Sequence, residues 1–227
     1  MKKQTSESFR LGALLAIAGG ILDAYTYLVR GGVFANAQTG NIVLLGVRLI
    51  QGQWLLALHY LIPILAFAAG VVVAEVIKHR FRQGGGVHWR QITVGLELVL
   101  LAAVAFLPSS LDSLANVAVS FVCAVQVESF RKVNGNAFAT TMCTGNLRSG
   151  TERLFLYLKT GERDHWSRAI QYYGIILCFT AGAALGALCA GKMGQAGVLI
   201  SLPPLIAGFV MMFERKNSCG EEEAGIK

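Results

Sequence analysis

Six long apolar stretches decide what this chain can fold into: Leu11–Val29, Trp54–Ile77, Ile92–Leu107, Leu114–Phe130, Ala169–Ala190 and Val198–Phe213. Each approaches the roughly 20 residues that carry an α-helix across a bilayer. With 54% apolar and 15% charged residues, and a mean hydropathy of +0.55, little polar surface is left to cover six such segments in water; an ordinary soluble domain carries about 25% charge. Most soluble enzymes, disordered tails and secreted scaffolds are excluded. The length of 227 residues is used up by spans and loops, so residues 1–227 read as one integral membrane domain.

Two weaker segments, Phe34–Leu49 and Phe138–Leu158, lie between spans, and each opens on a stretch rich in Gly, Asn and Thr. If neither crosses, every Lys and Arg except Arg30, Arg48 and Lys192 falls on one side, together with both termini. Basic residues concentrate on the cytoplasmic side of membrane proteins, so both termini are expected in the cytoplasm. If both crossed, the basic 78–90 loop would be exported, which disfavours eight spans. The net charge of +7 is therefore an orientation signal, and no nucleic-acid partner is implied. The first stretch is longer than a signal-peptide core, contains Asp23 and lacks a small-residue cleavage site after it, so it reads as the first span.

The chain also repeats itself. Thr39-Gly40-Asn41 recurs as Thr144-Gly145-Asn146, 105 residues on, and the same offset sets Asp23 on Glu128. Phe34-Ala35 falls near Phe138-Ala139, and Phe67-Ala68-Ala69-Gly70 matches Phe179-Thr180-Ala181-Gly182. The collinear order marks an internal repeat, 11–107 and 112–213. Three crossings per half is an odd number, so the second half is inverted relative to the first. The expected fold is an all-α membrane protein of six transmembrane helices in two inverted three-span repeats, each with an additional short re-entrant or interfacial helix at its T-G-N motif. Inverted repeats with broken helices are a recurring plan of secondary transporters.

The pattern Gly20-x-x-Asp23-Ala24-x-x-Tyr27, then Gly32-x-Phe34, then Thr39-Gly40-Asn41, resembles the signature of the YoaK-like family of small bacterial multipass membrane proteins. The resemblance covers most of the chain, including the second T-G-N. It implies a bacterial cytoplasmic-membrane protein, with small-molecule transport as the suggested activity, and brings no established site residues with it.

Among candidate site residues Asp23 comes first, because a carboxylate within a span costs about 2.5–3.5 kcal/mol at the bilayer centre. Tyr27 lies one turn on, on the same face. Asp23 either meets a substrate, cation or proton, or makes a structural hydrogen bond to the T-G-N loop. Glu128 is either its symmetry mate or an interfacial anchor beside Arg131 and Lys132, with Gln126 close by on another face. Glu97, deep among apolar neighbours, is a candidate for proton coupling or a neutral acid with one interhelical hydrogen bond. Glu75, one turn before Lys78, and His59, near a span end, read as interfacial. In the two loops Thr39, Asn41, Thr144 and Asn146, with Asn36 and Gln38 nearby, either line a central substrate site or cap two re-entrant helices.

Gly182-x-x-x-Gly186 and Gly70-x-x-x-Ala74 read as close-packing faces. Pro63 is expected to kink its span and Pro203-Pro204 to break the last one. Leu147–Leu158 is expected along the cytoplasmic membrane surface. The five cysteines form no C-x-x-C pair, and no metal site or cofactor is implied. No nucleophile elbow, phosphate loop or dinucleotide fingerprint is present, so no enzyme is expected. The residues suit a secondary transporter or channel for a small solute or proton in the lipid bilayer; the alternative is a membrane scaffold or accessory subunit. Glycine-lined faces are compatible with a homodimer.

Overall fold

A computed structural model of the chain describes residues 8–81, 89–130, 132–133, 136–137 and 143–212. Its helices are α1 (Phe9–Val29), α2 (Gln38–Ile50), α3 (Trp54–Phe81), α4 (Trp89–Val104), α5 (Asp112–Ser129), α6 (Cys143–Thr160), α7 (Arg163–Met193) and α8 (202–212). A 3-10 turn, Ser109–Leu111, leads into α5, and a 3-10 segment, Gly194–Ser201, joins α7 to α8. The only strands among the described residues are two-residue partners, β1 (Lys132–Val133) and β2 (Asn136–Ala137).

Four helical stretches are long and apolar enough to cross a membrane: Phe9–Val29, Trp54–Phe81, Ser109–Ser129 and Arg163–Met212. The last cannot be one span. Fifty residues would extend about 75 Å at 1.5 Å each, against a hydrocarbon core of about 30 Å. The chain instead turns at Gly194, whose φ of 53° suits glycine. Gly197 then packs back on Ala190. Pro203 and Pro204 do not break the last helix as expected. They stand in the first turn of α8, where a missing N–H leaves no helical bond unmade.

Side-chain contacts fix which ends of the helices meet. At the Arg30 end of α1, His59 near the start of α3 bonds the Gly31 carbonyl at 3.0 Å, and Asp112 at the start of α5 meets Arg30 at 2.7 Å. At the opposite end, Gln126 of α5 donates to Leu15 O at 3.1 Å, and Gly174 of α7 lies against Phe9. Helix α4 joins the two ends: Arg90 donates to Ser129 O at 2.9 Å, while Val104 O accepts from Arg30 at 3.2 Å. The 194–212 segment does the same, with Gln195 O accepting from Tyr25 and Gly208 lying against Leu11.

Helices α2 and α6 both start near Asp23. Helix α2 has 13 residues and is about 20 Å long. It begins beside the middle of α1, where Asn36 bonds Gly19 O, and returns to the Arg30 end, turning at Gly52 (φ 72°) into α3. Helix α6 begins at Cys143, within electrostatic reach of the same Asp23, and ends at Gly161 (φ 73°) before α7. Its 147–158 segment is packed on α7. Gly150 lies against Tyr172 and Tyr173, and Thr151 bonds the Tyr173 hydroxyl at 3.0 Å, which fastens α6 to α7 as a hairpin.

Packing pairs recur across the two halves. Helix α1 lies along α7 as α3 lies along α5, and α2 on α3 as α6 on α7. The close approaches are at glycine: a Cβ on Gly182 would strike Ile17 O and one on Gly186 would strike Ile21 O, while one on Gly70 would strike Phe121 O and Ala124. The core between α1, α4, α5 and α8 holds Leu22, Tyr25, Leu101, Val119, Val122 and Leu205. Leu55, Val72, Val99, Leu177 and Leu188 cover the outside, an apolar surface too extensive for a soluble monomer.

Candidate functional site: the buried polar centre

The centre is built where the chain, after Arg30, descends beside α1 instead of leaving the bundle. Asp23 is 6% exposed and accepts the Asn36 N–H at 2.7 Å, with the Ala35 and Ala37 N–H groups also turned to it. Asn36, itself buried, donates to Gly19 O at 3.2 Å. The Asp23 carboxylate thus stands where the N-terminus of α2 presents free N–H groups and the positive end of its dipole. The hydrogen bond to the loop leading into the T-G-N motif, one of the two roles open from sequence, is thus present.

Asn41 does not cap α2. The position before the helix is Ala37, and no side chain caps it. Instead Asn41, fully buried, clamps the peptide groups of Phe34: its Oδ1 accepts Phe34 N–H at 3.0 Å and its Nδ2 donates to Phe34 O at 2.7 Å. Gln38 accepts from Asn41 at 2.8 Å and donates to Ala35 O at 2.8 Å. The T-G-N asparagine therefore holds the descending loop together, satisfying backbone groups that lipid could not. Asn146 is buried at the corresponding point of α6.

The threonines stand elsewhere. Thr39 and Thr144 are exposed on the outer faces of α2 and α6, away from the centre. Tyr27 shares the Asp23 face, as the spacing predicts, yet it stacks on Phe34 with ring centroids 4.8 Å apart and is 47% exposed. Glu128 also lies outside the centre. It bonds Glu75 of α3, which accepts from Lys78 at 2.7 Å, so both acids are engaged towards the C-terminal ends of α3 and α5. The glycine contacts give a repeat register one residue short of the T-G-N offset, which places Val127, not Glu128, in register with Asp23.

Glu97 is the exception to this satisfied network. It is 0% exposed on α4, and neither carboxyl oxygen has a hydrogen-bond partner. Cys123 of α5 lies within electrostatic reach of both Glu97 and Asp23. Along α5, Asn116, Ser120, Gln126 and Ser129 are buried, each with an unpartnered oxygen.

Sequence reasoning missed Arg30, read as an ordinary outer charge. Its guanidinium is fully buried and every donor group is used: Nε donates to Tyr25 Oη at 2.7 Å, Nη1 to Asp112 at 2.7 Å and to Pro108 O, and Nη2 to Val104 O and Leu107 O. Asn116 donates to Arg30 O at 2.7 Å, and Tyr25 donates to Gln195 O at 3.0 Å. This hub closes the Arg30 end over the centre. A cavity of about 430 Å3 beside it, lined by Gly31, Leu55, His59, Tyr60 and Ser113, does not reach Asp23 or Glu97. Among the described residues no three His, Cys, Asp or Glu side chains could hold a metal, and Cys123, Cys143, Cys178 and Cys189 are free.

Comparison with known proteins fits this architecture. The chain is 26% identical over 234 residues to the UPF0700 transmembrane protein YoaK of Bacillus subtilis (strain 168), covering 96% of this chain and all of that protein. No solved structure matches. The profile of a family described as protein of unknown function (DUF1275) matches residues 11–212. The chain is therefore a multipass membrane protein and a member of this family, to which the YoaK-like signature around Asp23 and Thr39-Gly40-Asn41 pointed.

Proposed function

We propose that this protein is a small-solute secondary transporter of the bacterial cytoplasmic membrane, seen with its centre closed. Its plan is six crossings in two inverted halves, with α2 and α6 as re-entrant half-helices and both termini in the cytoplasm. The exchanged packing pairs and the matched glycine contacts support the inversion. So do the two short helices, which start near one acid and run to opposite ends of the bundle.

The observation that carries the transport reading is Glu97. A carboxyl group buried without a partner in a membrane helix is expensive, and a protein that only fastens helices has no use for it. The scaffold alternative draws on the rest of the centre, where Asp23, Asn36 and Asn41 are engaged with backbone and closed to solvent. The readings part on whether the centre opens. Cys123 reports this directly, being 0% exposed beside Glu97. With Cys143, Cys178, Cys189 and Cys219 replaced by serine, a membrane-impermeant thiol reagent is expected to modify Cys123 in sealed vesicles from at least one side. A Cys123 that resists modification from both sides, while reacting fully after denaturation, overturns transport in favour of the scaffold.

A further inference from the structure

We infer that the buried face of α5 is a proton track, with Glu97 of α4 as its carrier at mid-depth. The inference rests on the transport reading and deepens it by naming the coupling ion. Helix α5 runs the full distance between the ends of the bundle, from Asp112 against Arg30 to Ser129 against Arg90. Along it, Asn116, Ser120 and Cys123 stand on successive turns of one face, and Gln126 and Ser129 continue the series towards the other end. All five are buried.

The orientation of the amides is fixed by their partners. Asn116 commits its NH2 to Arg30 O and Gln126 commits its NH2 to Leu15 O, so their oxygens are the unpartnered atoms, as are Ser120 Oγ and both oxygens of Glu97. Flipping either amide would set oxygen against carbonyl oxygen. A row of buried acceptors calls for a species that brings hydrogen-bond donors or positive charge. One metal cation cannot serve the row. Asn116 and Ser129 are thirteen residues apart on α5, about 20 Å, whereas a bound metal needs its oxygens converged at about 2.0–2.6 Å. Water held by each oxygen, handing a proton on to the next, fits the spacing.

Glu97 takes the proton on one carboxyl oxygen from one direction and releases it in the other, and no bond besides O–H changes. The titratable group within electrostatic reach of it among the described residues is Cys123, which also feels Asp23 of α1. Helix α8, packed on the same core, carries none, and Glu75, Lys78, Arg30, Asp112 and Arg90 sit towards the bundle ends.

Infrared spectroscopy of the full-length protein in liposomes tests this without a solute. The neutral acid carbonyl band of Glu97, assigned by its loss in Glu97→Gln, is expected to shift within minutes of transfer to D2O. Ser120→Val and Gln126→Leu are expected to slow the shift about tenfold each, the size of one lost hydrogen-bonded link. Thr39→Val, on an exposed face, is expected to leave it unchanged. If Ser120→Val fails to fold, Ser120→Ala replaces it. A Glu97 band that does not exchange over hours, or exchanges equally fast in both α5 variants, overturns the track. Transport fails separately: fast, variant-sensitive exchange with an unreactive Cys123 leaves the track standing and removes the transporter.

Discussion

Two carboxyl groups share the centre of this bundle and live by different rules. Asp23 is held by the descending loop, taking the Asn36 N–H at 2.7 Å at the start of α2. Glu97, one helix away, has no partner at all. The contrast teaches that depth in the membrane does not by itself mark function. An acid that satisfies free backbone N–H groups is part of the fold, because removing it orphans those groups. An acid that satisfies nothing costs stability and must be retained for another reason.

The comparison can be broken by four substitutions, read as stability in detergent. Asp23→Leu is expected to lose about 2–4 kcal/mol, since several loop N–H groups lose their acceptor. A loss below about 1 kcal/mol would mean that the loop does not depend on Asp23. Asn41→Leu unclamps the Phe34 peptide groups and is expected to lose about 2–3 kcal/mol; thermal unfolding measures it. Glu97→Leu should move the other way, gaining about 1–2 kcal/mol by replacing a buried unpaired polar group with an apolar one, while removing proton exchange. A destabilised Glu97→Leu would erase the distinction between the two acids. Thr39→Ala, at the exposed position of the motif, is expected to change stability by less than about 0.5 kcal/mol, which a chemical unfolding curve resolves.

Much of this was legible from sequence, for physical reasons. Long apolar runs force crossings, and a polar loop at membrane depth must find partners within the protein, so Asp23 and the T-G-N loop were bound to be close. Helix α4 was readable as an apolar helix from Ile92–Leu107, although its 16 residues are short for a span. Tyr27 shows where periodicity stops: spacing places it on the Asp23 face, but not whether that point of the face is inside or at the rim, where it meets Phe34. Glu128 failed as a mate of Asp23 because a tripeptide match fixes the repeat register only to within a residue. Arg30 was not legible, since beside Gly31 and Gly32 it resembles any interfacial cation, and its partner Asp112 is 82 residues away. The α5 series was in plain view as Asn116, Ser120 and Cys123 at helical spacing, but only unpartnered oxygens distinguish it from ordinary packing.

The central claim is that the two T-G-N half-helices enter one buried centre from opposite faces of the membrane. Gln53, exposed just after α2, and Glu162, exposed just after α6, mark their outer tips. Each replaced in turn by cysteine in a background lacking the native cysteines, they can be labelled in intact cells with an impermeant reagent. The account predicts that Gln53→Cys is modified from outside and that Glu162→Cys is modified only after the membrane is opened; modification of both from the same side would contradict it.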